Sequence, residues 1–301
     1  MNQPAELKTI RDFLRYATSV FNEADLYYGH GTDNAWDEAV ALILHTLHLP
    51  HDINAAVLDA QLIEKERQAI FQLIHRRITE RIPVAYLTHE AWFNGLSFYV
   101  DERVLIPRSS IAELIEEQFQ PWIEVDRVHH ILDLCTGSGC IAIACAKAFP
   151  EAIIDASDIS EEALAVAKIN ALKHFVDEQV HLHQSDLFNT LPIQQYDIII
   201  SNPPYVGADE MAILPKEYHH EPAIGLEAGE DGLDYVVQIM REAKHYLKPK
   251  GLLIVEVGNS EAALMERFPD LPFTWMTFKN GDTGVFLLTA EELRDMDITD
   301  E

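Results

Sequence analysis

From about residue 105 the chain alternates short apolar runs with helix-patterned segments. That alternation restricts this region to a parallel sheet covered by helices on both faces. The most apolar run, Tyr196-Asp197-Ile198-Ile199-Ile200-Ser201, is rich in β-branched residues and reads as a fully covered strand. Asn202-Pro203-Pro204-Tyr205 follows it directly. Each proline locks φ near about −65° and lacks an N–H, so the strand stops and a carbonyl is left without a partner. An Asn amide oxygen, a free Pro carbonyl and a Tyr ring then share one rigid corner. Such a corner can hold a planar –NH2 group, with two oxygens accepting its N–H bonds and the ring against its face. Methylation of an amide or amino nitrogen needs such a site. An ordinary turn after a strand can also begin Asn-Pro.

The strands before it carry a second signature. His130-Ile131-Leu132-Asp133-Leu134-Cys135 reads as a strand, Thr136-Gly137-Ser138-Gly139 as a turn, and Cys140-Ile141-Ala142-Ile143-Ala144 as the opening of a helix. Gly137 and Gly139 would let backbone approach a ligand without a Cβ clash. The next strand, Ala152 to Ser157, ends at Asp158, nineteen residues after Gly139. An acid there can accept both ribose hydroxyls of an adenosine cofactor. Gly137-Ser138-Gly139-Cys140-Ile141-Ala142 also satisfies the dinucleotide pattern G-x-G-x-x-A, so a dinucleotide reading stays open here. After a third strand at Val180–His183, Asp186 can accept an adenine amine while Leu187 packs on the ring, or Asp186 can simply cap a turn. Leu252–Val257 reads as a fifth strand. Trp275–Phe278 and Gly284–Leu288 flank Asn280-Gly281-Asp282 as a closing hairpin.

Residues 1–85 have a different pattern. Leu7, Ile10, Leu14 and Ala17 recur at helical spacing, as do Trp36, Val40, Ile43, Leu44 and Leu47, and Ile70, Leu73, Ile74 and Ile78. Asp33 or Asn34 is placed to cap the second helix. In residues 86–104, aromatic runs flank Asn94-Gly95, a hairpin signal. The expected organisation is a helical domain at 1–85, a β-hairpin linker at 86–104 and an α/β domain at 105–301.

The 301 residues carry 22 Lys and Arg against 50 Asp and Glu, a net charge of −28. Such a surface repels nucleic acid and steers in a basic protein, or simply keeps the chain soluble. Arg76, Arg77 and Arg81 form a local basic exception. Cys135, Cys140 and Cys145 lack any Cys-x-x-Cys pair and read as reduced core thiols. The 14 His lack ligand spacing, so no metal is assigned. No secretory signal and no apolar stretch of about 18 residues is visible, so the expected location is cytoplasmic, away from membranes.

The ordered set of Asp133, the glycine pair, Asp158, Asp186, Asn202-Pro203-Pro204-Tyr205 and the closing hairpin resembles the Rossmann-like, class I S-adenosylmethionine-dependent methyltransferases. Their mostly parallel seven-stranded sheet ends in an antiparallel hairpin. The whole chain, from about residue 8 to 289, resembles the protein-glutamine N5-methyltransferases, which carry a helical N-terminal domain and a hairpin linker. The stretches that carry this are Tyr28–Asn34, Arg81–Leu87, Val104–Ser109 and Asp133–Cys145. A sister branch acting on release factors continues its Pro-Arg with Pro-Asp-Thr-Glu. Here Pro107-Arg108 continues with Ser109-Ser110-Ile111-Ala112-Glu113, which favours the branch acting on large-subunit ribosomal protein uL3.

The resemblance implies S-adenosylmethionine as cofactor, held by Asp133, Cys135, Thr136, Gly137, Gly139, Asp158, Ile159, Asp186, Leu187 and Asn202. It implies Asn202, Pro203 and Tyr205 as catalytic residues and Asn202-Pro203-Pro204-Tyr205 as the glutamine site. The partner implied is uL3, with no direct recognition of nucleic acid. Arg108 could order the linker, hold a carboxylate at the substrate mouth, or make an ordinary ion pair. Glu256 ends a central strand beside the expected cleft and receives no role. An adenine N6-methyltransferase would use the same corner for an exocyclic amine.

Overall fold

Leu7, Ile10, Leu14 and Ala17 are all buried in the computed structural model of the chain, which describes residues 6–279 and 281–294. The last three form the inner stripe of α1 (Ile10–Glu23). Its start is set by a reciprocal cap, in which Thr9 Oγ1 accepts from the Asp12 N–H and the Asp12 carboxylate accepts from the Thr9 N–H. Asn34 caps α2 (Ala35–Thr46) by accepting from the Trp36 and Asp37 N–H groups. The inner face of α2 differs from the stripe read in the sequence. Trp36 stands 45% exposed, while Ala39, Leu42, Ile43 and Leu44 point inward. With Ile70, Phe71 and Ile74 of α3 (Glu64–Glu80) and Val84 of α4 (Val84–Thr88), these residues form one core around Phe13 and Phe21.

The basic cluster read at the end of α3 is not a free patch. Arg76 pairs with Glu80 at 3.2 Å. Arg77, only 1% exposed, lies 3.2 Å from Glu38, donates to Glu217 at 3.1 Å and to the Tyr27 carbonyl at 2.9 Å. Arg81 meets Glu217 at 3.4 Å and donates to the Ala24 and Asp25 carbonyls. Burial drives the Glu38 carboxyl up to about 6 despite Arg77. Burial pushes Glu217 the same way, but hydrogen bonds from backbone N–H groups and Arg77 outweigh it and hold the carboxyl below its ordinary range. Pro215–His220 accordingly groups with the helices, in a unit that runs to Ala91 and includes Val100–Glu102.

The second unit holds 92–99, Arg103–Leu214 and the chain from Glu221 onward. Strands β1 (Ala91–Phe93) and β2 (Leu96–Phe98) form the hairpin. Asn94 and Gly95 take φ of +48° and +71°, the two left-handed positions of a type I′ turn. After α5 (Ile111–Glu116) the chain alternates: β3 (His130–Leu134), α6 (Cys140–Ala148), β4 (Ile153–Asp158), α7 (Glu161–Lys173), β5 (Val180–Gln184) and β6 (Tyr196–Ser201). It continues through α8 (Ala208–Met211), α9 (Asp234–Tyr246), β7 (Leu247–Glu256), α10 (Glu261–Arg267), β8 (Thr274–Trp275), β9 (Val285–Thr289) and α11 (Ala290–Arg294). The strand order is β5-β4-β3-β6-β7-β9-β8, parallel as far as β7, with β9 antiparallel to both β7 and β8.

Every residue of β6 is buried between β3 and β7. Its Tyr196 hydroxyl finds the partner that burial requires in Asp155, at 2.8 Å. Leu132, Ile199, Leu253 and Phe286 pack with Val236, Ile239 and Met240 of α9 into the main core. The closing hairpin is shorter than the sequence suggests: Thr274 and Trp275 pair with Leu287 and Phe286, and the Met276 N–H donates to the Val285 carbonyl at 2.9 Å. Asn280 of its predicted turn and the acidic end beyond Arg294 lie outside the described residues. Sheet order reverses between β3 and β6, and at such a switch a crevice opens beyond the carboxyl ends of the strands.

Candidate active site

Four strand ends meet at that crevice. It is lined by Cys135–Ser138 after β3, Asp158–Ser160 around the end of β4, Ser185–Leu187 after β5, and Asn202 with Pro204 after β6. The segment Arg103–Ser109, Cys140 and Ile141 of α6, Ala163 of α7, and Pro222, Ile224, Gly225 and Tyr235 supply the rest of the lining.

Asp133 fixes the first loop from behind. It is fully buried, and its Oδ2 accepts from the Thr136 hydroxyl at 2.5 Å and the Ala142 N–H at 3.1 Å. Burial pushes its carboxyl up to about 7, against those hydrogen bonds, and Oδ1 has no partner among the described residues. Cys135 takes a left-handed φ of +58°, a costly conformation for a side chain with a Cβ. Gly137, at φ +54°, has open space where a Cβ would stand, so its backbone lies bare beside the cleft. A Cβ on Gly139 would come 3.1 Å from the Ala167 Cβ. That glycine permits the close approach of α6 and α7 and does not line the cleft.

Asp158 lines the cleft and ties two loops together, accepting from the Gly137 N–H on Oδ2 and the Ser160 N–H on Oδ1, both at 2.9 Å. A carboxylate beside the cleft has acceptor capacity for a vicinal diol. Burial raises its carboxyl above the ordinary range. Asp186 is exposed at the cleft and also holds a turn, its carbonyl accepting from the Asn189 N–H at 3.0 Å. Leu187 is buried beneath it, at φ +46°.

The Asn202 Oδ1 is buried and has no hydrogen-bond partner among the described residues. A buried oxygen in that state costs free energy unless something donates to it. Pro204 lines the cleft, whereas Pro203 and Tyr205 do not. Tyr205 is held on three sides. Its carbonyl accepts from Ser260 Oγ at 2.9 Å, and its hydroxyl lies 3.5 Å from Glu256 Oε1. Its ring lies against Gly258, where a Cβ would come within 2.6 Å of it. Glu256, 8% exposed, accepts from Ser109 Oγ at 2.5 Å. Burial first, opposed by Ser109, Arg108 and Tyr205, sets its carboxyl at about 7.

Arg108 makes a bidentate pair with Glu221 at 2.6 and 2.9 Å, and Glu221 also accepts from the Ile106 N–H at 3.0 Å. The pair fastens one lining segment to another. The sequence reading missed Tyr235 and the run from Arg103 to Ser109 as lining, apart from its guess about Arg108. Their position in the cleft depends on contacts far away in the chain.

A family model described as "Methyltransferase small domain" matches residues 115–215. The protein named "Ribosomal protein uL3 glutamine methyltransferase" from Neisseria meningitidis serogroup B is 54% identical over 294 residues, 97% of each chain. The protein of that name from Neisseria gonorrhoeae is also 54% identical, over 97% of this chain and 98% of its own. This chain belongs to the uL3 glutamine methyltransferase family. Among solved structures, the hMettl16 catalytic domain in complex with MAT2A 3'UTR hairpin 6 covers 79% of this chain and 87% of its own at a TM-score of 0.50. Its 16% identity speaks to the fold alone.

The cleft of this methyltransferase fits a nucleoside-type methyl donor. The bare backbone at Gly137, the Asp158 carboxylate and the unpartnered Asn202 Oδ1 all border one space. Among the described residues no group of three or more His, Cys, Asp or Glu is placed to hold a metal ion, and no helix is long and apolar enough to cross a membrane.

Proposed function

We propose that this chain methylates the side-chain amide nitrogen, N5, of a glutamine in large-subunit ribosomal protein uL3, with S-adenosylmethionine as donor. The observation that carries the reading is the buried, unpartnered Asn202 oxygen at the end of β6, beside the cleft. Family membership supports methyl transfer, and the name borne by the relatives supports uL3 as the substrate.

Bound S-adenosylmethionine supplies an electrophilic methyl group on a sulfonium. Asp158 would hold its ribose, Asp186 and Leu187 its adenine, and the Cys135–Gly137 backbone the part between. Asp133 and Gly139 shape that loop from outside the cleft. The acceptor amide is a poor nucleophile because its lone pair is delocalised into the carbonyl. The Asn202 oxygen and the Pro203 carbonyl would accept its two N–H bonds, and both bonds strengthen as the nitrogen becomes positive. Pro204 fixes the carbonyl ahead of it, and Tyr205 holds the amide plane. No side-chain base is required, because the proton can pass to water once the nitrogen has become cationic. Positioning can lower the barrier by about 7–11 kcal/mol at best.

Recognition of the rest of uL3 falls to the helical domain at 1–85, with the hairpin at 86–104 as linker to the catalytic domain at 105–301. The site of action is the cytoplasm, on uL3 before or during ribosome assembly. The charge of −28 disfavours nucleic acid as the substrate.

The test is transfer of label from S-adenosylmethionine to isolated uL3, assembled large subunits, RNA and DNA. Label should appear on uL3 and vanish when one glutamine is replaced by glutamate. Label on nucleic acid, or label surviving replacement of every glutamine, would refute the reading.

A further inference from the structure

We infer that Glu256 is a positioning residue for methyl transfer: with Ser109 it orients the Tyr205 ring and so the amide plane at Asn202. The inference deepens the proposed reaction and rests on it.

Glu256 is the last residue of β7 and pairs with Val285 of β9, so its backbone is fixed by the sheet. Its two oxygens face different ways. Oε2 accepts from Ser109, whose oxygen in turn accepts from the Ile111 N–H at the start of α5. Oε1 faces the Tyr205 hydroxyl. Ser260 holds the Tyr205 backbone, Gly258 backs the ring, and Glu256 meets the hydroxyl at the ring's far end, where a contact has the most leverage on how far the ring leans. The 3.5 Å separation is long for an O–H···O bond. Contacts of this kind commonly tighten once substrate is bound.

The serine is informative. Proline or alanine at position 109 would have no hydroxyl to donate. The neighbouring Ser110 hydroxyl bonds Asp282 at 2.5 Å, so both serines of this chain's pattern fasten the lining segment to the end of the sheet.

Among the described residues, groups on the lining segment, on the Tyr205 loop and ahead of β9 act on Glu256. Arg108, on the lining segment, pulls its carboxyl down, and Asp282, ahead of β9, pushes it up. Ser109 and Tyr205 stabilise the carboxylate by donating to it. With a folded value of about 7, the carboxylate that accepts from Tyr205 is present above that pH and is lost as pH falls through it. Orientation should fail on the acid side.

The test compares wild type, Glu256→Gln, Tyr205→Phe and the double variant. Calorimetric affinity for S-adenosylmethionine and KM for uL3 should stay within about twofold. Turnover should fall between about 10- and 10²-fold in each single variant, as for a small misplacement of a reacting group. The double variant should lose no more than the worse single one, since both remove one contact. The Tyr205 Cζ resonance in ¹³C-tyrosine-labelled enzyme, assigned by its absence in Tyr205→Phe, should titrate near pH 7 in wild type and stay flat in Glu256→Gln. That readout needs no substrate, so it separates failure of this inference from failure of the uL3 reading, which unlabelled uL3 under wild type would reveal. Multiplying losses in the double variant, or a Tyr205 resonance indifferent to Glu256, would overturn it. Ser109→Ala, which leaves both partners in place, should lower turnover without lowering the melting temperature by more than a few degrees. Wild-type turnover in Ser109→Ala would remove the serine from the device.

Discussion

Replacing Asn202 by Ala should move stability and activity in opposite directions. The Asn202 Oδ1 is buried without a partner, so truncation breaks no hydrogen bond to that oxygen. A buried unsatisfied polar group costs about 1–3 kcal/mol. Removing the oxygen recovers part of that, offset by the small volume lost. About 1 kcal/mol corresponds to roughly 2–4 °C for a unit of 150–250 residues. The melting temperature should therefore hold or rise by about that much. Turnover should fall on the order of 10²–10³-fold, the cost of one preorganised polar group at a developing charge. Calorimetric affinity for S-adenosylmethionine should change little, because the ribose and adenine contacts assigned to Asp158 and Asp186 remain. The assays are scanning calorimetry, cofactor titration and label transfer to uL3 on the same preparation. A melting temperature several degrees lower would show that Asn202 serves the turn. Wild-type turnover would show that the amide is held elsewhere.

Asp158→Ala should weaken S-adenosylmethionine binding by about 10- to 10²-fold, since a hydrogen bond to a charged group contributes roughly 1.5–3 kcal/mol. Unchanged affinity by titration calorimetry would take the ribose away from Asp158. Glu38→Gln should flatten the pH dependence of stability of the helical unit. The folded carboxyl sits at about 6 against an ordinary 4.5, so its stabilising contribution is full below pH 4.5 and lost as pH rises through 6, a change of about 2 kcal/mol. A variant that kept the wild-type slope in urea melts between those pH values would contradict this. Association with isolated uL3 should weaken steeply as salt rises and the Debye length shortens to about 8 Å at 0.15 M, given the charge of −28. Salt-insensitive binding in a filter or interferometry assay would remove long-range charge from recognition.

The sheet strands, the N-terminal helices, the tetrapeptide after β6 and Asp158 at the end of β4 were legible in the sequence because each is a local pattern. Alternating burial, a cap, a proline pair and a turn are set by residues within a few positions of one another. Two positions read as ligand contacts are also held by packing. Gly139 answers to Ala167 across two helices, and Asp133 fastens its loop from the buried side. In the basic cluster at the end of α3, Arg77 and Arg81 are met by Glu217, 140 positions beyond Arg77. Ser109 finds Glu256 across 147 positions, and Arg108 finds Glu221 across 113. No spacing rule reaches that far along the chain. The sheet brings the strand ends together at one switch point. What surrounds a carboxylate there, and so its protonation and its hydrogen-bond partners, depends on segments that meet only once the strands have paired.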